Sequence, residues 1–253
     1  MTMVWLEPVR EEFRNRLQSD RLAHAFLLSG QTGTGKQELA MEMIASLLCL
    51  ENNLPACGSC RSCQLLASGA HPDFRILSFE LNDKGKLRSE IVIDQVRELI
   101  SFLQLTTTIS EKKAALIHPA EAMNKNAANA LLKTLEEPPG DAVILLLSHD
   151  PSRLAVTIRS RCQKLQVRSP GVETALAWLL ETGVFGEHEA RSALKAAAGS
   201  PFRAREILSE DGPDHTAWSA IHLNRYLKAA VRQPVQCQRW GMLNHTGCGP
   251  GFL

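Results

Sequence analysis

Uninterrupted apolar segments of strand length alternate along the chain with longer segments whose apolar residues recur every three or four positions. The strand-like segments lie at 24–29, 73–78, 113–119, 141–148 and 163–167. Helical periodicity occupies the intervening stretches "QELAMEMIASLLCL", "IVIDQVRELISFLQL" and "AEAMNKNAANALLKTLEE". In "AVILLLS" apolar and polar residues do not alternate, as expected of a central strand buried on both faces. The pattern predicts an α/β fold with a parallel sheet between two layers of helices.

The pattern changes after about residue 168, where strand-like segments stop. The following stretch, 169–211, predicts three short helices separated by Gly and Pro breaks, which would form a small helical domain. Another helical segment begins after Gly212 and gives way to "RQPVQCQRWGMLNHTGCGPGFL", which has neither periodicity nor caps. We therefore predict a sheet domain at 1–168, a helical domain at 169–211 and a partial third helical domain with an irregular tail at 212–253.

Charge and composition narrow the functional classes. The chain of 253 residues has 28 Lys and Arg against 27 Asp and Glu, a formal net charge of +1, which argues against an autonomous nucleic-acid binder. No stretch approaches the ~20 apolar residues that span a bilayer, and the N-terminus does not resemble a signal peptide. We expect a cytoplasmic protein without a membrane partner. In that reducing compartment, clustered cysteines bind a metal ion more often than they form disulfides.

The stretch "GQTGTGKQ" lies between the first strand and the first long helix after it. Gly30, Gly33, Gly35 and Lys36 match a phosphate-binding loop, in which backbone N–H groups converge on an anion at a helix N-terminus. A glycine-rich turn that binds no nucleotide is the alternative. Gln37 stands where such a loop has the Ser or Thr that ligates Mg²⁺. The loop is therefore predicted to be degenerate, with doubtful ATP binding.

The acidic pair that nucleotide hydrolysis needs is also missing from the strand at 113–119. His118 and Pro119 occupy the expected positions of the two acids, and Glu121 comes two residues too late. The magnesium-binding half of the site is thus predicted to be lost twice, at Gln37 and at His118–Pro119.

Cys49, Cys57, Cys60 and Cys63 form a C-x7-C-x2-C-x2-C pattern. Four thiolates with two consecutive two-residue spacings favour tetrahedral Zn²⁺, and a closed four-sulfur site is structural because no position remains for substrate. Unrelated loop thiols are the alternative, and a redox role is less favoured because such CxxC motifs usually stand alone at a helix start.

Two arginines are candidates for contact with a nucleotide. Arg161 lies between a short helix and the last strand, where its guanidinium could reach a γ-phosphate held by a neighbouring subunit. Arg203 in "GSPFRA" could approach a nucleotide from the helical domain. A surface charge without a function is the alternative for each.

These features together resemble the AAA+ clamp-loader subunits of bacterial DNA polymerase III. The resemblance is carried by "RLAHAFLLSGQTGTGK", the four-cysteine pattern, "HPDF", "NAANALLKTLEEPP" and "PSRLAVTIRSRCQKLQV", and it covers roughly residues 14–168. "GSPFRA" extends it into the helical domain, which corresponds to the AAA+ lid. The first cysteine gap is about one residue shorter than in the family, and Phe202 replaces the Arg of the motor subunits' Gly-Ser-x-Arg.

The resemblance implies a hetero-pentamer with gamma/tau motor subunits and a delta subunit, which loads a sliding clamp onto primed DNA. It further implies a non-hydrolysing member whose Arg161 is an arginine finger toward a neighbour's ATP, and a structural zinc on the four cysteines. The stretch 212–253 is short for the family's third, collar domain, so we expect a partial collar and weak assembly. An active AAA+ ATPase of the tau/gamma type is the main alternative, and a zinc-dependent nucleic-acid-binding module is another.

Overall fold

A computed structural model of the chain describes residues 3–19, 22–81, 85–183 and 185–209. Its strands are β1 (Ala25–Ser29), β2 (Phe74–Leu77), β3 (Lys113–Ile117), β4 (Ala142–Ser148) and β5 (Gln163–Gln166). Its helices are α1 (Glu7–Gln18), α2 (Lys36–Leu48), α3 (Arg61–Ser68), α4 (Ile93–Gln104), α5 (Lys125–Glu136), α6 (Val156–Arg159), α7 (Val172–Thr182), α8 (Glu187–Ala196) and α9 (Pro201–Leu208).

The strands form one parallel sheet with the order β2-β3-β4-β1-β5. This order confirms the predicted α/β fold and places β4 in the centre, between β3 and β1. All seven residues of β4 are buried, as its unbroken apolar sequence predicted. The carboxyl ends of β1, β3 and β4 therefore meet at one edge of the sheet, where ligands bind in open α/β folds.

Helices cover both faces of the sheet, and alternate residues of β4 face different cores. Val143, Leu145 and Leu147 belong to a core shared with α1 and α2, whereas Ile144 and Leu146 belong to a core shared with α4 and α5. Residues on both faces of such a strand must be apolar, which explains why β4 lacks the alternation of a half-exposed strand.

Helices α7, α8 and α9 confirm the three short helices predicted after the last strand. They pack on the core that β4 shares with α1 and α2, through aromatic residues. The Trp178 ring lies 5.7 Å from that of Trp5 and 4.9 Å from that of Phe202. The helical segment is thereby joined to the start of the chain and to the sheet. The predicted third segment, 212–253, lies outside the described residues. Within the described ranges, no helix is long and apolar enough to cross a membrane.

Candidate functional site

The glycine-rich loop connects the end of β1 to the start of α2, as predicted. Gly35 has the left-handed backbone conformation, with φ of +85°, and is the N-cap of α2. A Cβ on Gly30 would lie 2.3 Å from the carbonyl oxygen of Val167, and a Cβ on Gly33 would lie 2.2 Å from Ser200 Oγ. The loop therefore needs glycine at Gly30 and Gly33 because other parts of the chain approach it closely.

The two positions at which the sequence departs from a magnesium site are in direct contact. Gln37 Nε2 lies 2.7 Å from His118 Nε2, so the first turn of α2 is hydrogen-bonded to the end of β3. Burial, reinforced by His149 and Lys36, lowers the pKa of His118 to about 3, which leaves its imidazole neutral at physiological pH. A neutral amide and a neutral imidazole thus meet where the phosphate-loop motif and its acidic pair would place carboxylate and hydroxyl ligands of Mg²⁺.

Lys36 is buried and its ammonium group is held by the protein itself. Lys36 Nζ donates to the carbonyl oxygen of Gln31 at 2.7 Å and lies 3.0 Å from His149 Nδ1. Burial lowers the pKa of Lys36 to about 8, although the carboxylate of Glu121 acts in the opposite direction. Burial and the Lys36 charge lower the pKa of His149 to about 4, so His149 accepts the hydrogen bond. The lysine that would bind outer phosphates is therefore engaged within the chain.

The carbonyl groups of the loop are also bonded to distant parts of the chain. The oxygen of Gly33 accepts hydrogen bonds from Ser200 Oγ at 3.0 Å and from the backbone N–H of Phe202 at 3.1 Å. Trp5 Nε1 donates to the oxygen of Thr34 at 2.8 Å. The N-terminal end of α9 and the start of the chain thus close over the loop from two sides.

Unsatisfied polar atoms concentrate at the carboxyl ends of β3 and β4. Within the described residues, five buried side-chain nitrogen or oxygen atoms have no hydrogen-bond partner, and three of them are here: His118 Nδ1, Glu121 Oε2 and Ser148 Oγ. Because native proteins rarely leave such groups unpaired, this concentration marks the edge of the sheet beside the loop as the candidate functional site.

The four cysteines converge as their spacing predicted. Cys49 is the C-cap of α2 and Cys60 is the N-cap of α3, and the four Sγ atoms lie within 4.8 Å of one another. The Sγ atoms of Cys57 and Cys63 are 4.0 Å apart, close to the edge of about 3.8 Å of a tetrahedron with 2.3 Å zinc–sulfur bonds. Although burial acts in the opposite direction, N–H groups of Cys60 and Ser59 lower the pKa of Cys57 to about 6. The cluster fits a four-thiolate metal ion.

Arg161 lies between α6 and β5 with a third of its side chain exposed. Its Nε donates to Glu136 Oε1 at 2.7 Å, its Nη2 is paired with the same oxygen, and its Nη1 donates to the carbonyl oxygen of Thr157 at 2.9 Å. Glu136 and the Thr157 carbonyl therefore hold the guanidinium in place at the surface. Arg203 is exposed at the start of α9, and its Cβ lies 3.4 Å from the Cβ position of Gly33.

Comparison with known proteins shows where this arrangement occurs. A family model described as DNA polymerase III, delta subunit, matches residues 5–171. The DNA polymerase III subunit delta' of Pseudomonas aeruginosa is 40% identical over 238 residues, which cover 93% of this chain and 70% of that protein. The chain belongs to the family of DNA polymerase III delta-prime subunits.

Other relatives place the chain within the wider group. The delta-prime subunit of Escherichia coli is 35% identical over 208 residues, and the match covers 82% of this chain and 61% of the relative. The tau subunit of Escherichia coli is 32% identical over 173 residues, 68% of this chain and 26% of that protein. The chain thus spans 70% and 61% of the two delta-prime relatives.

Solved structures confirm the AAA+ architecture of this delta-prime family member. A gamma subunit-related protein of DNA polymerase III from Thermotoga maritima superposes with a TM-score of 0.53 at 20% identity, covering 88% of this chain and 70% of that one. The RuvB Holliday junction branch migration motor from the same organism gives a TM-score of 0.51 at 14% identity, covering 79% and 59%. At these identities the likeness shows the fold alone.

Several residues at the loop of the delta-prime chain were not singled out from the sequence. His149 and Ser148 end the central strand, and this position could have been recognised because the ends of neighbouring parallel strands meet at one edge. Glu121 lies two residues beyond the expected position of an acidic ligand, and it accepts a hydrogen bond from the backbone N–H of His149 at 3.0 Å. Trp5 and Ser200 had no local signal, because their contacts join distant parts of the chain.

Proposed function

We propose that this chain is a non-hydrolysing clamp-loader subunit of DNA polymerase III, which helps to load a sliding clamp onto primed DNA. The observation that carries the proposal is the hydrogen bond between Gln37 and His118, which occupies the place of the two magnesium ligands. Membership of the delta-prime family supports the same assignment. The subunit would work inside a hetero-pentamer with gamma/tau and delta subunits, and its contacts with the clamp and DNA would be made by the whole complex.

The engaged state of Lys36 is the second argument against hydrolysis. A γ-phosphate at this loop would have to displace the bonds of Lys36 to Gln31 and His149 without the help of a metal ion. Binding that must first break buried hydrogen bonds is weakened by their cost. We therefore infer that any ATP binding by the purified chain is weak and independent of Mg²⁺.

ATP turnover by the purified full chain tests the proposal. We expect no Mg²⁺-dependent hydrolysis above that of a Lys36→Ala control, and titration calorimetry with ATP should give the same weak heat with and without Mg²⁺. Hydrolysis that is clearly above the control would show an active AAA+ ATPase of the tau/gamma type.

We infer that Arg161 acts in trans, as an arginine finger on ATP held by a neighbouring motor subunit. Its guanidinium is at the surface, and Glu136 and the Thr157 carbonyl hold it in place before any partner binds. In the isolated chain Nε and Nη2 of Arg161 both contact one oxygen of Glu136. A phosphate would replace this anionic partner and could accept the two N–H groups on separate oxygens, which suits arginine.

The arginine proposal is tested in a complex assembled with gamma/tau and delta subunits. Arg161→Ala and Arg161→Lys should both reduce ATP hydrolysis by the complex while its assembly, followed by size-exclusion chromatography, is unchanged. Arg97→Ala is the matched control, since Arg97 is exposed on α4 and forms an ion pair with Asp94. Equal turnover of the Arg161 variants and the control would refute the role.

We propose that the four cysteines hold a structural Zn²⁺. Their sulfur separations and the burial of Cys49 and Cys63 favour a closed tetrahedral site without room for a substrate. Metal analysis after gel filtration under reducing conditions should give one zinc per chain. Protein without metal would refute this assignment and would leave the clamp-loader proposal intact.

The domain boundaries are likewise proposed as 1–168 for the AAA+ core with its zinc module and 169–211 for the helical lid. The contacts of α9 with Gly33 join these two units, so limited proteolysis should leave them together as one fragment. The proposed partial collar, 212–253, lies outside the described residues.

A further inference from the structure

A buried polar network lies next to the four-cysteine cluster, and within the described residues none of its hydrogen bonds is to a cysteine sulfur. It consists of the side chains of Ser62, His71 and Ser110 and the carbonyl oxygen of Leu48, and we call it the knuckle support. The three side chains are 0%, 6% and 4% exposed. None of these residues is a proposed zinc ligand or a residue of the phosphate loop, so the functions proposed above assign the network no role.

Two hydroxyl groups converge on one carbonyl at the end of α2. Ser62 Oγ donates to the oxygen of Leu48 at 2.5 Å, and Ser110 Oγ donates to the same oxygen at 2.9 Å. His71 Nε2 lies 2.8 Å from Ser62 Oγ and 3.3 Å from Ser110 Oγ. A helix leaves its last carbonyls without intrahelical partners, and the knuckle support satisfies one of them inside the protein.

The hydrogen-bond partners of His71 determine which of its ring nitrogens carries the proton. The backbone N–H of Asp73 donates to His71 Nδ1 at 3.0 Å, so Nδ1 carries no proton. A neutral imidazole has one N–H, which must then be on Nε2 and point at the two hydroxyl oxygens. Each hydroxyl is left with its single proton for the oxygen of Leu48. Every member of the network is therefore satisfied. Removal of one hydroxyl takes one of two donors from the Leu48 carbonyl, and removal of both would leave that carbonyl and the His71 N–H unpaired.

The position of the network connects it to the metal ligands. Leu48 immediately precedes Cys49, and Ser62 immediately precedes Cys63. Cys49 and Cys63 are the two buried ligands, 2% and 3% exposed, and they belong to different elements, the end of α2 and helix α3. The hydrogen bond from Ser62 to Leu48 thus sets the distance between the backbones that carry these two sulfur atoms.

Ser110 and His71 attach this pair to the sheet. Ser110 precedes β3, His71 precedes β2, and the carboxylate of Asp73 accepts the backbone N–H groups of Ile109 and Ser110 at 2.8 and 3.0 Å. These bonds do not depend on a metal ion. Ligands held in place before binding lose less freedom when the metal arrives, which favours slow release.

We propose that the hydroxyl groups of Ser62 and Ser110, oriented by His71, position Cys49 and Cys63 for the metal ion and so determine how fast the site releases it. This inference rests on the proposed zinc site. It assigns to Ser110, which lies 48 residues from Ser62, a positioning role toward a metal that it does not touch.

The test measures zinc release from the full chain into excess chelator, reported by a colorimetric zinc indicator. Ser62→Ala and Ser110→Ala should each release zinc about tenfold faster than the wild type. Ser68→Ala is the matched control, because Ser68 is exposed on the same helix α3 and donates to the carbonyl of Leu65 within its own helix. Its release rate should equal that of the wild type.

Two further measurements separate positioning from general destabilisation. Ser110→Thr retains the hydroxyl and should restore slow release. The double variant Ser62→Ala/Ser110→Ala should release zinc faster than the two single effects combined predict, because only the double variant leaves the Leu48 carbonyl and the His71 N–H without a partner. Co²⁺ placed in the site should show a changed thiolate-to-metal spectrum in Ser110→Ala while the far-UV circular dichroism stays native.

The outcomes are distinguishable. Wild-type protein without zinc would refute the zinc proposal and this inference with it. Wild-type protein with one zinc, together with equal release from Ser62→Ala, Ser110→Ala and the Ser68→Ala control, would refute the positioning role alone. Faster release from Ser110→Ala that Ser110→Thr does not restore would also overturn it.

Discussion

Substitution of His118 should change how the stability of the protein depends on pH. His118 is neutral in the fold because burial, together with His149 and Lys36, lowers its pKa from 6.5 to about 3. The unfolded chain protonates this histidine near its ordinary pKa, so acid favours the unfolded state. The stability that neutral His118 contributes is therefore complete above about pH 6.5 and is lost as the pH falls toward 3.

The magnitude follows from the two pKa values. Between pH 7 and pH 5 the unfolded histidine becomes almost fully protonated while the folded one stays neutral, which costs about 2 kcal/mol of unfolding free energy. His149, with its pKa lowered to about 4, contributes a similar loss of about 2 kcal/mol. Glu38 has the opposite effect on stability, because burial raises its pKa to about 7. Its protonation in the folded state between pH 7 and pH 5 adds about 2 kcal/mol to the free energy of unfolding.

These three groups together should cost the wild type about 2 kcal/mol between pH 7 and pH 5. His118→Gln keeps an amide that can bond Gln37 but cannot be protonated, so for the same three groups the loss should fall to about zero. His71, whose pKa is also lowered by burial, and the thiolates of the four-cysteine cluster affect both proteins equally.

The assay is urea unfolding of the full chain at pH 7 and at pH 5, followed by circular dichroism. The quantity compared is the change in unfolding free energy between the two pH values, so a constant cost of the substitution cancels. His188→Gln is the control, since His188 is exposed on α8 and should leave the pH dependence as it is in the wild type. If His118→Gln loses as much stability as the wild type between pH 7 and pH 5, the reasoning fails.

Two further substitutions test the contacts around the loop and the sheet. Gly33→Ala places a side chain at a backbone φ of +71° and against Ser200 at the start of α9. Gly140→Ala is the control: its φ is +57°, its Cβ would meet open space, and it should lower the free energy of unfolding by about 1–2 kcal/mol. The melting temperature of Gly33→Ala should therefore be well below that of Gly140→Ala. Equal melting temperatures would contradict the close approach. Asp73→Asn leaves the buried Lys113 without its charge partner and should cost about 3–5 kcal/mol in urea unfolding, whereas Asp94→Asn on the exposed face of α4 should cost less than about 1 kcal/mol. A cost of Asp73→Asn as small as that of the control would show that the buried pair is not needed.

The sheet could be predicted because burial on both faces leaves a direct trace in the sequence. The seven residues of β4 are all buried, and no polar residue interrupts them before Ser148. The predicted strands extend one or two residues beyond the observed strands at one or both ends. At the end of β3 the run to Pro119 was too long, because the strand ends at Ile117 and proline cannot donate a hydrogen bond to a sheet.

The candidate site could be predicted where its residues are close in sequence or fall at the positions of a known motif, as Gln37 and His118 do. The four-cysteine cluster lies within fifteen positions, and its spacing was sufficient to predict convergence. Glu121 lies beside the site although its position along the chain does not match that of an acidic ligand. The short 3-10 turn Ala120–Ala122 brings its carboxylate back to the end of β4, where it bonds the N–H of His149. A contact of this kind depends on a turn geometry that residue counting does not give.

The contacts of the glycine-rich loop favour a structural role of the loop over an ATP-hydrolysing one. A loop that binds, hydrolyses and releases ATP must exchange its ligands in every cycle, and the lid must move relative to it. Here Gly33 is bonded to the start of α9, Thr34 to Trp5 and Gln37 to His118. The loop thus joins the start of α9 and the start of the chain to the sheet, and this supports the proposed role of a static subunit.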